Sequence, residues 1–209
     1  GGATDNVDDH SITLDFGDAG TLVFAGHGGA SAMSARDDVM PTAKEEPWDV
    51  VTGGDDDIIN GQTQEDMFTY TYAHDSGFTF VASYINAQGT ESDESYNDFA
   101  IEYTGIDGLR VGYAAGTVEI NTGTEIDEDT MFATYAMGGM TVGVQVSNAD
   151  STAVNGDLES TGFGISYQVN DDLAISYGNH EIDYATNDDQ EASAIGVSYT
   201  MGSIGLSGT

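Results

Sequence analysis

Apolar and polar residues alternate with a period of two along most of this chain, which is the mark of β-strands with one apolar and one polar face. Ser11–Phe16 sets Ile12, Leu14 and Phe16 against Thr13 and Asp15. Thr21–Ala25 follows after the turn Gly17-Asp18-Ala19-Gly20, which makes the pair a hairpin. From residue 67 the grammar is regular. Strands are predicted over Met67–His74, Phe78–Asn86, Tyr96–Thr104, Leu109–Ile120, Met131–Met137, Met140–Ser147, Thr161–Val169, Leu173–Tyr184 and Ala194–Met201, with a last one from Ile204. Short Gly/Asp/Asn turns such as Asp75-Ser76-Gly77 and Gly138-Gly139 alternate with longer acidic connections, among them Gln88–Ser95, Asn121–Asp129 and Asn148–Glu159. The pattern predicts about twelve antiparallel strands in up-and-down order.

One stretch, His27–Asp66, breaks the period. It holds both prolines, Pro41 and Pro47, the only tryptophan, Trp48, and two of the three basic residues, Arg36 and Lys44. Its acidic residues cluster as Asp37-Asp38, Glu45-Glu46 and Asp55-Asp56-Asp57. Structureless connections beyond roughly 12–15 residues are uncommon in compact domains and tend to be functional or disordered. We read this one as functional, folded into a β-barrel where its charges narrow a water-filled pore. The whole chain, 1–209, is then one domain, with 27–66 as the constriction loop.

Alternation by itself fits a soluble sandwich as well as a membrane barrel. The turns favour the barrel, because bacterial outer-membrane barrels join their strands by short periplasmic turns and longer extracellular loops. Tyrosines near strand ends (Tyr72, Tyr84, Tyr96, Tyr103, Tyr113, Tyr135, Tyr167, Tyr184 and Tyr199) suit a membrane interface, although tyrosine is also simply a good strand former. No run of about 18 apolar residues exists for a transmembrane helix, and barrel strands do not need one.

The charge narrows the partners. Against 37 acidic residues stand 3 basic ones, a formal charge of −34. Nucleic acid is excluded, since phosphate contacts need Lys and Arg, and cations are favoured. Aromatic residues at 10% and apolar residues at 39%, spread through the chain, argue against disorder. A halophilic soluble protein would share the acidity. The absence of cysteine leaves no disulfide and no thiolate metal site.

The hairpin ITLDFGDAGTLVFAG (Ile12–Gly26), the loop GGASAMS…EEPWDV (Gly28–Val50) and DMFTYTYAHDSGFTFVASY (Asp66–Tyr84) resemble the general-diffusion porins of Gram-negative bacteria, the alphaproteobacterial type in particular. The strand–turn–strand order matches to the end of the chain, through ISYQVNDDLAISYG and IGVSYTMGSIGLSG. The resemblance implies a sixteen-stranded outer-membrane barrel whose constriction loop follows the fifth strand. On that alignment the first strand here is equivalent to the fourth of the family and the last to the fifteenth, so both ends look cut. It also implies a homotrimer seated among outer-membrane lipid and lipopolysaccharide, with passive diffusion of small hydrophilic solutes and ions.

The candidate constriction residues are Asp37, Asp38, Glu45, Glu46 and Asp49, with Arg36 and Lys44 as counter-charges; Glu102 and Arg110, on the polar face of their strands, are candidates for the lumen wall. The resemblance implies acidic loop residues facing a basic wall, and Arg110 is the only strand arginine. The plain alternative is that the loop charges only keep an exposed loop soluble. Gly53–Gly61 looks like one unit of a glycine- and aspartate-rich calcium repeat, with Asp55, Asp56 and Asp57 as possible ligands. One copy of a motif that works in stacked arrays is a weak signal, and a solvated turn competes with it. Glu91, Asp93 and Glu94, or Glu125 and Asp127–Asp129, could bridge divalent ions to lipopolysaccharide, again against a plain solvated loop. No cofactor is required by this reading. The histidines His10, His27, His74 and His180 are scattered without metal-ligand spacing, and no nucleophile elbow occurs, so an enzyme is not expected. The competing readings are an acidic, calcium-binding secreted or surface β-protein used in adhesion, and a substrate-specific outer-membrane channel.

Overall fold

The computed structural model of the chain describes residues 10–37, 39–47, 58–59, 66–86, 95–120, 123–152, 156–202 and 204–209. Twelve strands form one sheet: β1 (Ser11–Asp15), β2 (Thr21–Ala25), β3 (Met67–Ala73), β4 (Phe78–Ile85), β5 (Ser95–Tyr103), β6 (Leu109–Ile120), β7 (Thr124–Met137), β8 (Met140–Ser151), β9 (Leu158–Asn170), β10 (Leu173–Tyr184), β11 (Gln190–Met201) and β12 (Ile204–Gly208). Their order in space is their order in sequence, and each pairs antiparallel with the next. Among the described residues β1 and β12 do not pair with each other, so the sheet is not closed.

The two faces are reversed relative to a soluble fold. The apolar face is the bare one: Met131 is 60% exposed and Ile195 68%, and Phe99, Ile101, Tyr113, Val144, Phe163 and Tyr177 join them. The polar face is the covered one, with Ala100, Ala114 and Thr130 fully buried and Ser83, Asp98, Gln145, Ser147 and Ser176 nearly so. A sandwich would pack the apolar face against a second sheet. A membrane barrel leaves it to lipid and turns the polar face to the lumen. The ladder satisfies the backbone of each inner strand on both sides, which hydrocarbon requires.

Several strands run further than the hydrophobic pattern predicts. The expected long connection Asn121–Asp129 shrinks to the residues between Ile120 and Thr124, which pair directly. β8 extends to Ser151 and β9 begins at Leu158, so the connection between them is also shorter than expected. The outward positions of these extensions are Glu125, Asp127, Asp129, Asp150 and Glu159. Pairing continues past the apolar zone while the apolar signal stops, because a charge there meets water and headgroups rather than lipid tails. Two tyrosines also depart from expectation. Tyr96 is 1% exposed on the polar face and Tyr184 packs on the inner apolar cluster, so neither belongs to an interfacial belt.

β2 and β3 are neighbours, with Ala25 opposite Met67, so the long loop leaves and re-enters at one end of the sheet. What it does in between places the core. A cluster of Ala32, Met33, Ile58 and Ile59 from the loop with Val81, Ala100, Ala114 and Ile182 from the strands lies between loop and polar face.

Candidate functional site

The loop crosses the polar face from β4 to β11. At its root the chain turns tightly: the Arg36 amide donates to the Met33 carbonyl at 2.7 Å, and the Ser34 hydroxyl to the Ser31 carbonyl at 3.0 Å. The wall supplies acceptors for the amides this turn leaves open. Ala32 N–H donates to Ser83 Oγ at 2.9 Å and Met33 N–H to Asp98 Oδ2 at 2.6 Å. Tyr96 donates its hydroxyl to the same Asp98 oxygen at 3.2 Å. Three buried groups thus converge, and a buried donor left without its acceptor costs about 1–3 kcal/mol. We therefore expect Asp98→Ala to loosen the root, with amide exchange at Met33 and proteolysis near it rising by about tenfold or more, and Asp98→Asn, which keeps a carbonyl acceptor, to do much less. Unchanged exchange in Asp98→Ala would remove this contact from the account.

One turn further on, charge takes over. Arg36 is 7% exposed. Its Nη1 donates to the Ala32 carbonyl at 2.9 Å and its Nη2 reaches Glu102 Oε2 at 3.4 Å. Arg110 grips the same carboxylate from the wall with two bonds, Nε to Oε1 at 2.8 Å and Nη2 to Oε2 at 3.1 Å. Its guanidinium also lies 4.8 Å from the centre of the Phe132 ring, within cation–π range. Gln145 donates to the Arg36 carbonyl at 2.7 Å and to Thr130 Oγ1 at 3.0 Å. Burial pulls the Arg36 guanidinium below its ordinary pKa and the Glu102 carboxylate works against that.

The far half of the loop lies flat on small residues. Val39 and Met40 pack on Phe132. Gly143, Gly164 and Gly178 are cross-strand neighbours on β8, β9 and β10 and form one row. A Cβ on Gly143 would stand 2.6 Å from Pro41 Cδ, and one on Gly178 the same distance from Pro47 Cγ. The row is therefore a groove cut to take two prolines. Beside it Ser176 Oγ accepts from the Ala43 amide at 2.9 Å. The tip closes on itself: Glu46 Oε1 accepts from the Met40 amide at 2.8 Å, Thr42 Oγ1 donates to the Glu45 carbonyl at 2.7 Å, and Lys44 pairs with Glu45.

The structure sorts the residues singled out from sequence. Glu102 and Arg110 do share the polar face, and they share it with Arg36. Lys44 is exposed, and Asp37 and Glu45 are partly so. Arg36 and Glu46 are buried and hold the loop in shape. Asp38, Trp48, Asp49, Asp55, Asp56, Asp57, Glu91, Asp93 and Glu94 lie outside the described residues. Among the described residues no group of three or more His, Asp or Glu side chains could hold a metal. Sequence reasoning passed over Ser83, Asp98, Gln145, Ser176 and the glycine row. Each stood at a polar-face position, but only strand register shows that the three glycines are side by side.

A family model described as Gram-negative porin matches residues 1–205. No curated protein matches the sequence significantly. Among solved structures, a porin refined at 1.8 Å superposes with a TM-score of 0.69 at 17% identity, covering 92% of this chain and 71% of that one. An anion-selective porin from Comamonas acidovorans gives 0.68 at 16% identity, over 94% and 63% of the two chains. The trimer form of in-vitro folded OmpT, an outer membrane protein of Vibrio cholerae, gives 0.65 at 16%, over 93% and 66%. The chain spans about two-thirds of the length of these structures.

Proposed function

Because this chain belongs to the Gram-negative porin family, and so to the channels of the outer membrane, we propose that it passes small hydrophilic solutes by passive diffusion, prefers cations, and catalyses nothing. The observation that carries the preference is the accounting of positive charge. The chain has 3 basic residues, and each is bound to a carboxylate: Arg36 and Arg110 to Glu102, Lys44 to Glu45. With 37 acidic residues against them, carboxylates dominate the charge that this chain brings to the path. Charged rings and clusters of one sign govern which ions enter a pore. The fold does not decide the matter, since an anion-selective porin shares it. The segment 27–66 acts as the constriction, with Asp37 and the Lys44–Glu45 pair at its accessible edge. On the twelve strands of this chain the one arginine, Arg110, is tied to Glu102. Calcium at Asp55–Asp57 and a homotrimeric assembly, the latter as in the trimeric Vibrio protein, belong to the same proposal.

Conductance of the detergent-purified protein in a planar bilayer under a salt gradient tests this. The expected result is stepwise conductance with a cation-selective reversal potential. An anion-selective reversal potential would keep the channel and sink the charge reading; no conductance from folded protein would sink the pore.

A further inference from the structure

The Arg36–Glu102–Arg110 cluster inverts the arrangement expected from sequence. The loop brings the cation and the wall brings the carboxylate. Arg36 comes from the loop root, Arg110 from β6, and Glu102 from β5 stands between them with its side chain 14% exposed. Asp98, two residues along the same face of β5, adds a second carboxylate within electrostatic reach of Arg36. Two guanidiniums and two carboxylates make the cluster neutral as a whole. Arg110 is the member that solvent reaches most, with 36% of its side chain exposed.

We infer that Glu102 is a selectivity-determining residue, which together with Asp98 offsets the two arginines of this face so that they do not repel cations or admit anions. The inference rests on the proposal that this face lines a conducting pore. For an ion further away than the pair's own length, a hydrogen-bonded carboxylate offsets much of a guanidinium's field, and replacing it by an amide of the same shape uncovers that field. Glu102 also holds the loop, so a change in selectivity has to be separated from a change in loop position. Arg110 separates them. Glu102→Gln removes one negative charge; Glu102→Gln combined with Arg110→Gln restores the net charge while leaving the carboxylate clamp broken.

The experiment is the reversal potential and unitary conductance of the full protein in bilayers under a potassium chloride gradient. The cation-to-anion permeability ratio of Glu102→Gln is expected to fall by about twofold or more, and the double variant to return close to the original ratio. Glu102→Asp, which keeps the charge, is expected to keep the ratio. If the double variant stays with Glu102→Gln, or if Glu102→Gln changes conductance and leaves the ratio alone, Glu102 only holds the loop and the inference fails. Should Glu102→Gln not assemble, Arg110→Gln serves alone: it leaves the Glu102 carboxylate uncompensated on that side, so the ratio is expected to rise, and an unchanged ratio overturns the inference. An unaltered protein that proved anion-selective would defeat the functional proposal, yet the direction of the Glu102→Gln shift would still decide this one.

Discussion

Ile101→Arg is expected to prevent stable assembly in the membrane. Ile101 stands on the outward face of β5, 43% exposed, at the centre of its apolar stretch between Phe99 and Tyr103. Across the ladder it faces Phe80 on β4 and Tyr113 on β6. Every neighbour on that face is apolar or aromatic, so a guanidinium placed there has no carboxylate to meet. In a barrel an arginine at the bilayer midplane costs about 2–4 kcal/mol, falling to about 0–1 near the interfaces. The comparison residue is Asp127, outward on β7 beyond the apolar zone and opposite Asp150. Asp127→Arg puts a cation beside an anion at the rim and is expected to leave assembly intact. Heat-modified mobility and denaturant unfolding in lipid vesicles measure both. An Ile101→Arg protein as stable in lipid as the original would mean that this face does not meet hydrocarbon.

That contrast also explains what could be read from the sequence. Strand identity was legible wherever lipid imposes an apolar residue at every second position, as in Phe78–Tyr84 or Phe163–Val169. It stopped being legible at the outer ends of β7, β8 and β9, where pairing persists but the outward residues are Asp and Glu. The ladder is held there by backbone bonds, which leave no trace in side-chain pattern. The loop was legible as an interruption, and Glu102 and Arg110 as charges on a polar face. Their pairing was not, because it depends on a third residue, Arg36, distant in sequence. Arg36 and Glu46 look in sequence like the other charges of the loop. Burial separates them, and burial follows from the wall they rest on: Arg36 against Glu102, and the loop held by Glu46 against the glycine row.

The row gives the second large effect. Gly178→Val is expected to lift the loop and raise the unitary conductance by about half or more, with the sheet left as it is. The reasoning turns on which side yields. Gly178 lies in β10, paired along its length with β9 and β11, and its φ is outside the left-handed region, so its backbone accepts a side chain. The added Cβ would stand 2.6 Å from Pro47 Cγ and 2.9 Å from Pro47 Cδ, well inside van der Waals contact. Such overpacking costs about 1–3 kcal/mol. The sheet would have to break ladder bonds to relieve it. The described contacts of the loop tip with the wall, the Ser176 hydroxyl, the prolines and the packing of Val39 and Met40 on Phe132, include no ladder bonds, and its internal bonds, Met40 to Glu46 and Thr42 to Glu45, can travel with it. So the loop moves. Because Glu102 and Asp98 hold the root some distance away, it moves as a flap hinged between Arg36 and Pro41, opening the lumen on the β8–β11 side. Proteolysis within residues 39–47 should rise together with the conductance, while the melting temperature of the sheet changes little. If conductance and proteolysis both stay as they were, the loop does not rest on the glycine row in the membrane, and the constriction must be sought elsewhere on the polar face.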